Sequence, residues 1–159
     1  MQKVIIVCSG AGKSTFARGL RDKTGLPLYY LDNIWWNPDG THIPREEFDA
    51  RLAEILATER WIIDGYYSRT LETRIKACDT VFYLDIPLAD CLAGAASRVG
   101  TAREDLPWVE TEFVKEFRQW IEDFPQREAA LIEELLEKYR GGRDIVVFKS
   151  RVEMDAYFM

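Results

Sequence analysis

The apolar positions of this chain fall into two kinds of run. Short, nearly continuous stretches at residues 3–7, 27–31, 61–64, 80–85 and 144–149 predict strands. Between them, residues 13–24, 44–58, 68–77, 87–99, 110–124, 126–140 and 151–158 carry helical spacing. Phe48, Leu52, Ile55 and Leu56 repeat on one helical face, behind a proline, Pro44, that suits a first turn. Phe113, Val114, Phe117, Trp120, Ile121 and Phe124 form a broad stripe that Pro125 is expected to stop. Leu131, Ile132, Leu135, Leu136 and Tyr139 form the next, closed by Gly141 and Gly142. Strands that alternate with helices and are apolar throughout predict an α/β fold, with a parallel sheet covered on both faces. No repeat, low-complexity tract or linker divides the chain, so residues 1–159 read as one domain.

Composition narrows the function classes. The net charge of −6 argues against direct nucleic-acid binding, which draws its affinity from Lys and Arg on phosphates. His42 is the single histidine, so histidine-rich metal sites and Ser-His-Asp triads are disfavoured. Cys8, Cys78 and Cys91 have no metal-like spacing and read as reduced thiols, which predicts a cytoplasmic protein. No apolar run is long enough to span a bilayer, and no signal peptide precedes the first strand, so no membrane partner is expected.

Between the first strand and the first helix stands Cys-Ser-Gly-Ala-Gly-Lys-Ser-Thr, residues 8–15. Strand, small-residue loop and helix, with Gly12-Lys13-Ser14 at the junction, form the end of a phosphate-binding loop. Small residues at Ser9, Gly10, Ala11 and Gly12 let backbone N–H groups point at phosphate oxygens. Lys13 would reach the β- and γ-phosphates, and Ser14 would bring its hydroxyl to Mg²⁺. The full motif wants glycine at position 7, where this chain has Val7. A β-branched residue there is expected to crowd the start of the loop and weaken nucleotide affinity, and a Val7→Gly change to relieve it.

Ligands of open α/β sheets sit at the carboxyl ends of the strands. Those ends read Leu31-Asp32, Ile63-Asp64-Gly65 and Leu84-Asp85. Carboxylates beside a triphosphate imply Mg²⁺, which Asp64 or Asp32 could hold through its waters. Each Asp could instead cap a helix or form a turn, most readily Asp85 before Ile86-Pro87. Arg69, with Ser68 as an expected N-cap, would sit above the strand ends and neutralise phosphoryl charge. Arg74 lies further round the same helix, as either a surface ion pair or a site residue. The polar segment at residues 98–108, with Arg98 and Arg103, is either a solvated connection or a lid over phosphates. Tyr29, Tyr30, Trp35, Trp36, Tyr66 and Tyr67 divide between core and a stacking surface for a planar acceptor.

Together these residues resemble the P-loop proteins related to nucleoside monophosphate kinases. Ile62-Ile63-Asp64-Gly65-Tyr66-Tyr67-Ser68-Arg69 looks like the Asp-Gly-Phe-Pro-Arg segment of adenylate kinases with one residue inserted. The ordered set Gly10–Thr15, Leu31-Asp32-Asn33, Pro44–Phe48, Trp61–Gly65, Tyr67–Leu71 and Lys149-Ser150-Arg151 is similar to the bacterial adenylate kinase-related group called topology modulation proteins. The resemblance implies a three-layer P-loop NTPase fold with a five-stranded parallel sheet in the order 2-3-1-4-5, a short lid, and ATP binding. It assigns Lys13, Ser14 and Thr15 to phosphate and Mg²⁺, Arg69 to the acceptor or transferring phosphate, Arg98 and Arg103 to the lid, and Lys149-Ser150 to the adenine. Ala95–Gly100 is poorer in Arg and Lys than this group's lid.

The leading expectation is an ATP- and Mg²⁺-dependent phosphotransferase acting on a nucleotide, nucleoside or other small metabolite. Trp35 and Trp36 tilt it slightly towards a nucleotide or nucleoside, and Asp32 offers a base for a hydroxyl acceptor. Val7 and the arginine-poor lid favour a second reading, a nucleotide-binding regulatory protein with little turnover. A third, a DNA topology factor, follows from the group's name alone.

Overall fold

The computed structural model describes residues 1–8 and 13–159. Strands β1 (Lys3–Val7), β2 (Leu28–Tyr30), β3 (Trp61–Asp64), β4 (Thr80–Leu84) and β5 (Asp144–Phe148) form one parallel sheet in the order β2-β3-β1-β4-β5. Eight helices are described: α1 (Lys13–Thr24), α2 (Leu31–Trp35), α3 (Arg45–Leu56), α4 (Ser68–Ala77), α5 (Leu88–Ser97), α6 (Lys115–Arg127), α7 (Ala129–Lys138) and α8 (Arg151–Ala156).

Side chains alternate across each strand, and both faces are covered. Ile5, Val7, Ile63, Val81 and Tyr83 pack against α3, α4 and α7 through Phe48, Leu52, Leu71, Ile75 and Ile132. Val4, Ile6, Ile62, Phe82 and Leu84 pack against α1, α5, α6 and α8 through Phe16, Leu20, Cys91, Ile121 and Met154. That double burial is why the strands read as continuous apolar runs.

Several boundaries differ from expectation. Residues 110–114 are not helical, and α6 begins at Lys115 after Val114 in an extended conformation. Phe113 still packs on the second core, whereas Val114 is exposed. Pro125 lies inside α6 instead of ending it. A proline forfeits one intrahelical donor and crowds the carbonyl four residues back, and here it does so within the last turn of α6. Glu128 N–H still bonds Phe124 O at 2.9 Å, and the axis breaks only there, before α7. Ser68 is the first residue of α4, and the N-cap position belongs to Tyr67. Helix α2 is absent from the periodicity because five residues are too few to repeat a pattern.

Val7 also changes meaning. It is the last residue of β1, in register with Tyr83 and buried in the first core. Its side chain fills the sheet interior, so glycine there would remove packing.

Candidate functional site

Asp64 ends β3, in register with Ile6 of β1 and Tyr30 of β2. Strand alternation turns it to the face of Ile62, which is the α1 face. There the Lys13 ammonium stands 3.0 Å from Asp64 Oδ1, and the Ser14 hydroxyl donates to Oδ2 at 3.0 Å. Burial opposes the Lys13 charge, but Asp64, with Asp32 beyond it, outweighs that and pushes the ammonium up to about 12. Lys13 is therefore a fixed cation. Ser9, Gly10, Ala11 and Gly12 lie outside the described residues. Thr15 is exposed on α1, and its hydroxyl accepts from Arg18 at 3.2 Å.

The chain turns sharply after Asp64. Gly65 has φ +149°, and a Cβ on it would meet Leu31 Cβ at 2.8 Å, so only glycine fits. Tyr67 follows in the left-handed region at φ 40°. Arg74 holds this turn. It is fully buried and donates to the carbonyls of Gly65 at 3.0 Å, of Tyr66, and of Tyr67 at 3.1 Å, and to Thr70 Oγ1 at 3.2 Å. Burial lowers its guanidinium to about 10, which still leaves it charged at neutral pH. Arg74 is thus neither a surface ion pair nor a ligand contact, but the brace of the site's floor. Sequence spacing gave no sign of that, because the partners are backbone carbonyls.

The turn aims Tyr67 at Asp32. Its hydroxyl donates to Asp32 Oδ1 at 2.5 Å. Asp32 sits in the first turn of α2, just past β2. Burial, then Asp32, raises the Tyr67 phenol above its usual range, so it remains a donor.

Lys13, Asp32, Gly65, Tyr66 and Tyr67 open on one cleft of about 610 Å³ that Arg98, Arg103 and Asp105 of the 98–108 segment also line. Of the aromatic residues singled out in sequence, Trp36, Tyr66 and Tyr67 face it. Trp35 instead stacks on His42 and packs edge-on against Phe48. Trp108, Phe117 and Trp120 also line the cleft, although the sequence placed Phe117 and Trp120 only in a core stripe and did not single out Trp108. A larger hollow, about 890 Å³, lies along the β5 edge and includes Lys149 but not Lys13, Asp32 or Asp64. Size alone therefore does not mark the site.

The 98–108 segment covers the cleft. Arg103 pairs with Glu110 at 2.7 Å and lies 3.7 Å from Asp105. Burial and neighbouring Arg103 lower Arg98, and its Nε has no hydrogen-bond partner among the described residues. Glu104, unremarked in sequence, fastens the segment down. It accepts from the Tyr30 hydroxyl at 2.8 Å and from Arg21 at 3.0 Å, while its carbonyl accepts from Asn33 at 2.5 Å.

Three expected residues stand elsewhere. Arg69 forms a two-pronged pair with Asp49, at 2.7 and 3.0 Å, and does not line the cleft. Lys149 pairs with Asp85. Ser150 caps α8, accepting from Glu153 N–H at 3.2 Å. No group of three or more His, Cys, Asp or Glu side chains among the described residues could cage a metal. Ser14 with Asp64 behind it does fit Mg²⁺, which takes one or two protein oxygens and draws the rest from phosphates and water.

No protein-family model matches the chain, and no curated protein matches it. Solved structures do. Shikimate kinase from Acinetobacter baumannii, in complex with shikimate, aligns over 98% of this chain and 87% of its own, with a TM-score of 0.60 and 17% identity. Shikimate kinase from Bacteroides thetaiotaomicron aligns over 98% and 92%, with a TM-score of 0.51 and 15% identity. At such identities the likeness is one of fold, the five-stranded P-loop kinase fold with the same sheet order.

Proposed function

We propose that this chain is an ATP-dependent small-molecule kinase that transfers the γ-phosphoryl group to a hydroxyl of its acceptor. The observation that carries the reading is that Lys13 and Ser14 meet Asp64 at the end of β3, beside a cleft shared by Lys13, Asp32, Arg98 and Arg103. Two solved structures of like fold are, by name, kinases of a small molecule, and one holds shikimate. Adenylate kinase-like identity, and kinship with the topology modulation group, rest on the sequence motifs alone.

In this reading Lys13 leaves Asp64 for the β- and γ-phosphates. Ser14, with Asp64 behind it, would hold Mg²⁺, which would supply charge neutralisation on the phosphates. Asp32 accepts the proton of the acceptor hydroxyl. The hydroxyl oxygen bonds the γ-phosphorus as the bond to the β–γ bridging oxygen breaks, and ADP leaves. Tyr67, donating to Asp32, keeps that carboxylate oriented. Arg98 offsets charge on the transferring group, and Arg103 joins it only on leaving Glu110 and Asp105. Lys149 and Ser150 flank the adenine, with Ser150 serving also as the α8 cap.

A hydroxyl acceptor is favoured over a phosphate. Arg69, the residue a phosphate acceptor would need, is committed to Asp49 outside the cleft, whereas Asp32 is inside it. The test is an ATP-consumption screen across hydroxyl and phosphate acceptors. We expect turnover with a hydroxyl compound, abolished in Lys13→Ala and reduced about 10²–10⁴-fold in Asp32→Asn. ATP binding without turnover on any acceptor would favour the regulatory reading. A parent protein that does not bind ATP would sink both.

A further inference from the structure

Two tryptophans on the cleft wall belong to neither core. Trp36, capping the end of α2, and Trp108, in the 98–108 segment, both line the cleft and are half-buried. They pack on each other edge to face, with ring centres 5.6 Å apart and planes at 85°. Neither joins the clusters that cover the two faces of the sheet. Phe117 and Trp120 carry the same aromatic wall onward from α6. A large apolar face that no core absorbs, set in a concave site, is surface for a ligand. Trp36 also stands beside the proposed base, because its indole acts on the Tyr67 hydroxyl, which donates to Asp32 at 2.5 Å.

The charges on that wall are interleaved and already matched within the chain. Arg103 lies 2.7 Å from Glu110 and 3.7 Å from Asp105. Asp32 accepts from Tyr67 and adds to the field that keeps Lys13 charged. Glu128 accepts from the Tyr66 hydroxyl at 2.7 Å. Arg98, whose Nε has no hydrogen-bond partner among the described residues, is left for the transferring phosphoryl group. An ion on the acceptor, of either sign, would shed water on entry and find its counter-charge engaged. A neutral frame meets no such penalty.

We infer that the acceptor is an uncharged alcohol on a flat, aromatic frame, and that Trp36 and Trp108 select it. The inference rests on the kinase reading above and names that kinase's acceptor class. The frame lies along the two indoles, which supply apolar contact and ring stacking without any charge. Its hydroxyl then meets Asp32, the carboxylate next to Trp36. Because Trp108 comes from the segment that also carries Arg98 and Arg103, seating the frame and seating the phosphoryl group call on one stretch of chain.

The test uses four alcohols. Naphthylmethanol is neutral and flat, its ring carboxylate is an anion, its ring aminomethyl derivative is a cation, and erythritol is neutral but not flat. Binding to the full chain is read by calorimetry, with and without Mg·ATP, and ATP affinity is measured separately. We expect naphthylmethanol to bind about tenfold or more tighter than each of the others, a gap of about 1.4 kcal/mol. Trp108→Ala should weaken naphthylmethanol about tenfold and leave erythritol where it was. Trp108→Phe, which keeps an aromatic face, should recover most of the loss. Trp36→Ala is the second variant and should narrow the same gap. Thermal unfolding of each variant shows that it is folded, as expected for side chains outside both cores. Equal affinities across the series, tightest binding by the anion or the cation, or no binding by any probe overturns the inference. So does an unchanged naphthylmethanol affinity in both folded tryptophan-to-alanine variants. Turnover of ATP on a charged acceptor in preference to neutral ones would overturn it while leaving the kinase reading intact. Selective binding of naphthylmethanol by a chain that does not bind ATP would sink the kinase reading and leave the aromatic seat standing.

Discussion

Arg74 places the largest structural demand on a single side chain near the site. Its guanidinium serves the carbonyls of residues 65–67, in a turn that has Gly65 and Tyr67 at positive φ. Removing it leaves buried carbonyls unpaired. Arg74→Met should cost about 3–5 kcal/mol, the range for breaking a buried charged network. Chemical denaturation measures that loss. Because Tyr67 then loses its fixed approach to Asp32, acceptor KM should rise more than ATP affinity falls. Arg74→Lys should recover little, since an ammonium lacks the planar fork that reaches three carbonyls.

Among elements, the 98–108 segment lines the cleft but belongs to no helix or strand. Its contacts with α1, β2 and α2 run through Glu104. The Tyr30 hydroxyl, then Arg21, holds the Glu104 carboxyl below its ordinary 4.5. A carboxylate depressed in the fastened state favours that state above its ordinary value and loses the contribution as pH falls through the depressed one. Hydrogen exchange of amides 101–109, corrected for intrinsic rates, should therefore quicken in Glu104→Gln at neutral pH. The parent should approach the variant only once pH falls below the carboxylate range. Equal exchange in the two proteins at neutral pH would show that Glu104 does not fasten the segment.

For the whole molecule, nucleotide binding should appear as stability. A ligand at about 100 times its Kd adds about 2.7 kcal/mol, or roughly 5–10 °C in Tm for a domain of this size. Mg·ATP should give a shift of that order in the parent and none in Lys13→Ala. The comparison is between shifts, because Lys13→Ala also strands buried Asp64 and lowers the starting Tm. Chelating Mg²⁺ should shrink the parent's shift. The net charge of −6 sets a further expectation, that duplex DNA produces no salt-sensitive binding.

The sequence by itself determined the sheet, its five strands and the position of the phosphate-loop lysine. Those features are written in local periods and in a motif whose spacing is fixed by backbone geometry. It also marked Asp32 and Asp64, since strand ends in this architecture face the ligand. It misplaced the start of α6 and the role of Pro125, because apolar residues such as Phe113 pack on a core whether helical or not. Only the tertiary structure decided that Arg69 turns to Asp49, that Arg74 braces the floor, that Asp105 and Trp108 line the cleft, and that Glu104 ties the 98–108 segment to Tyr30 and Arg21. Each of these depends on partners distant in the chain or on backbone carbonyls. Local sequence pattern carries no information about such pairings, which exist only once the sheet has brought separate loops to one edge.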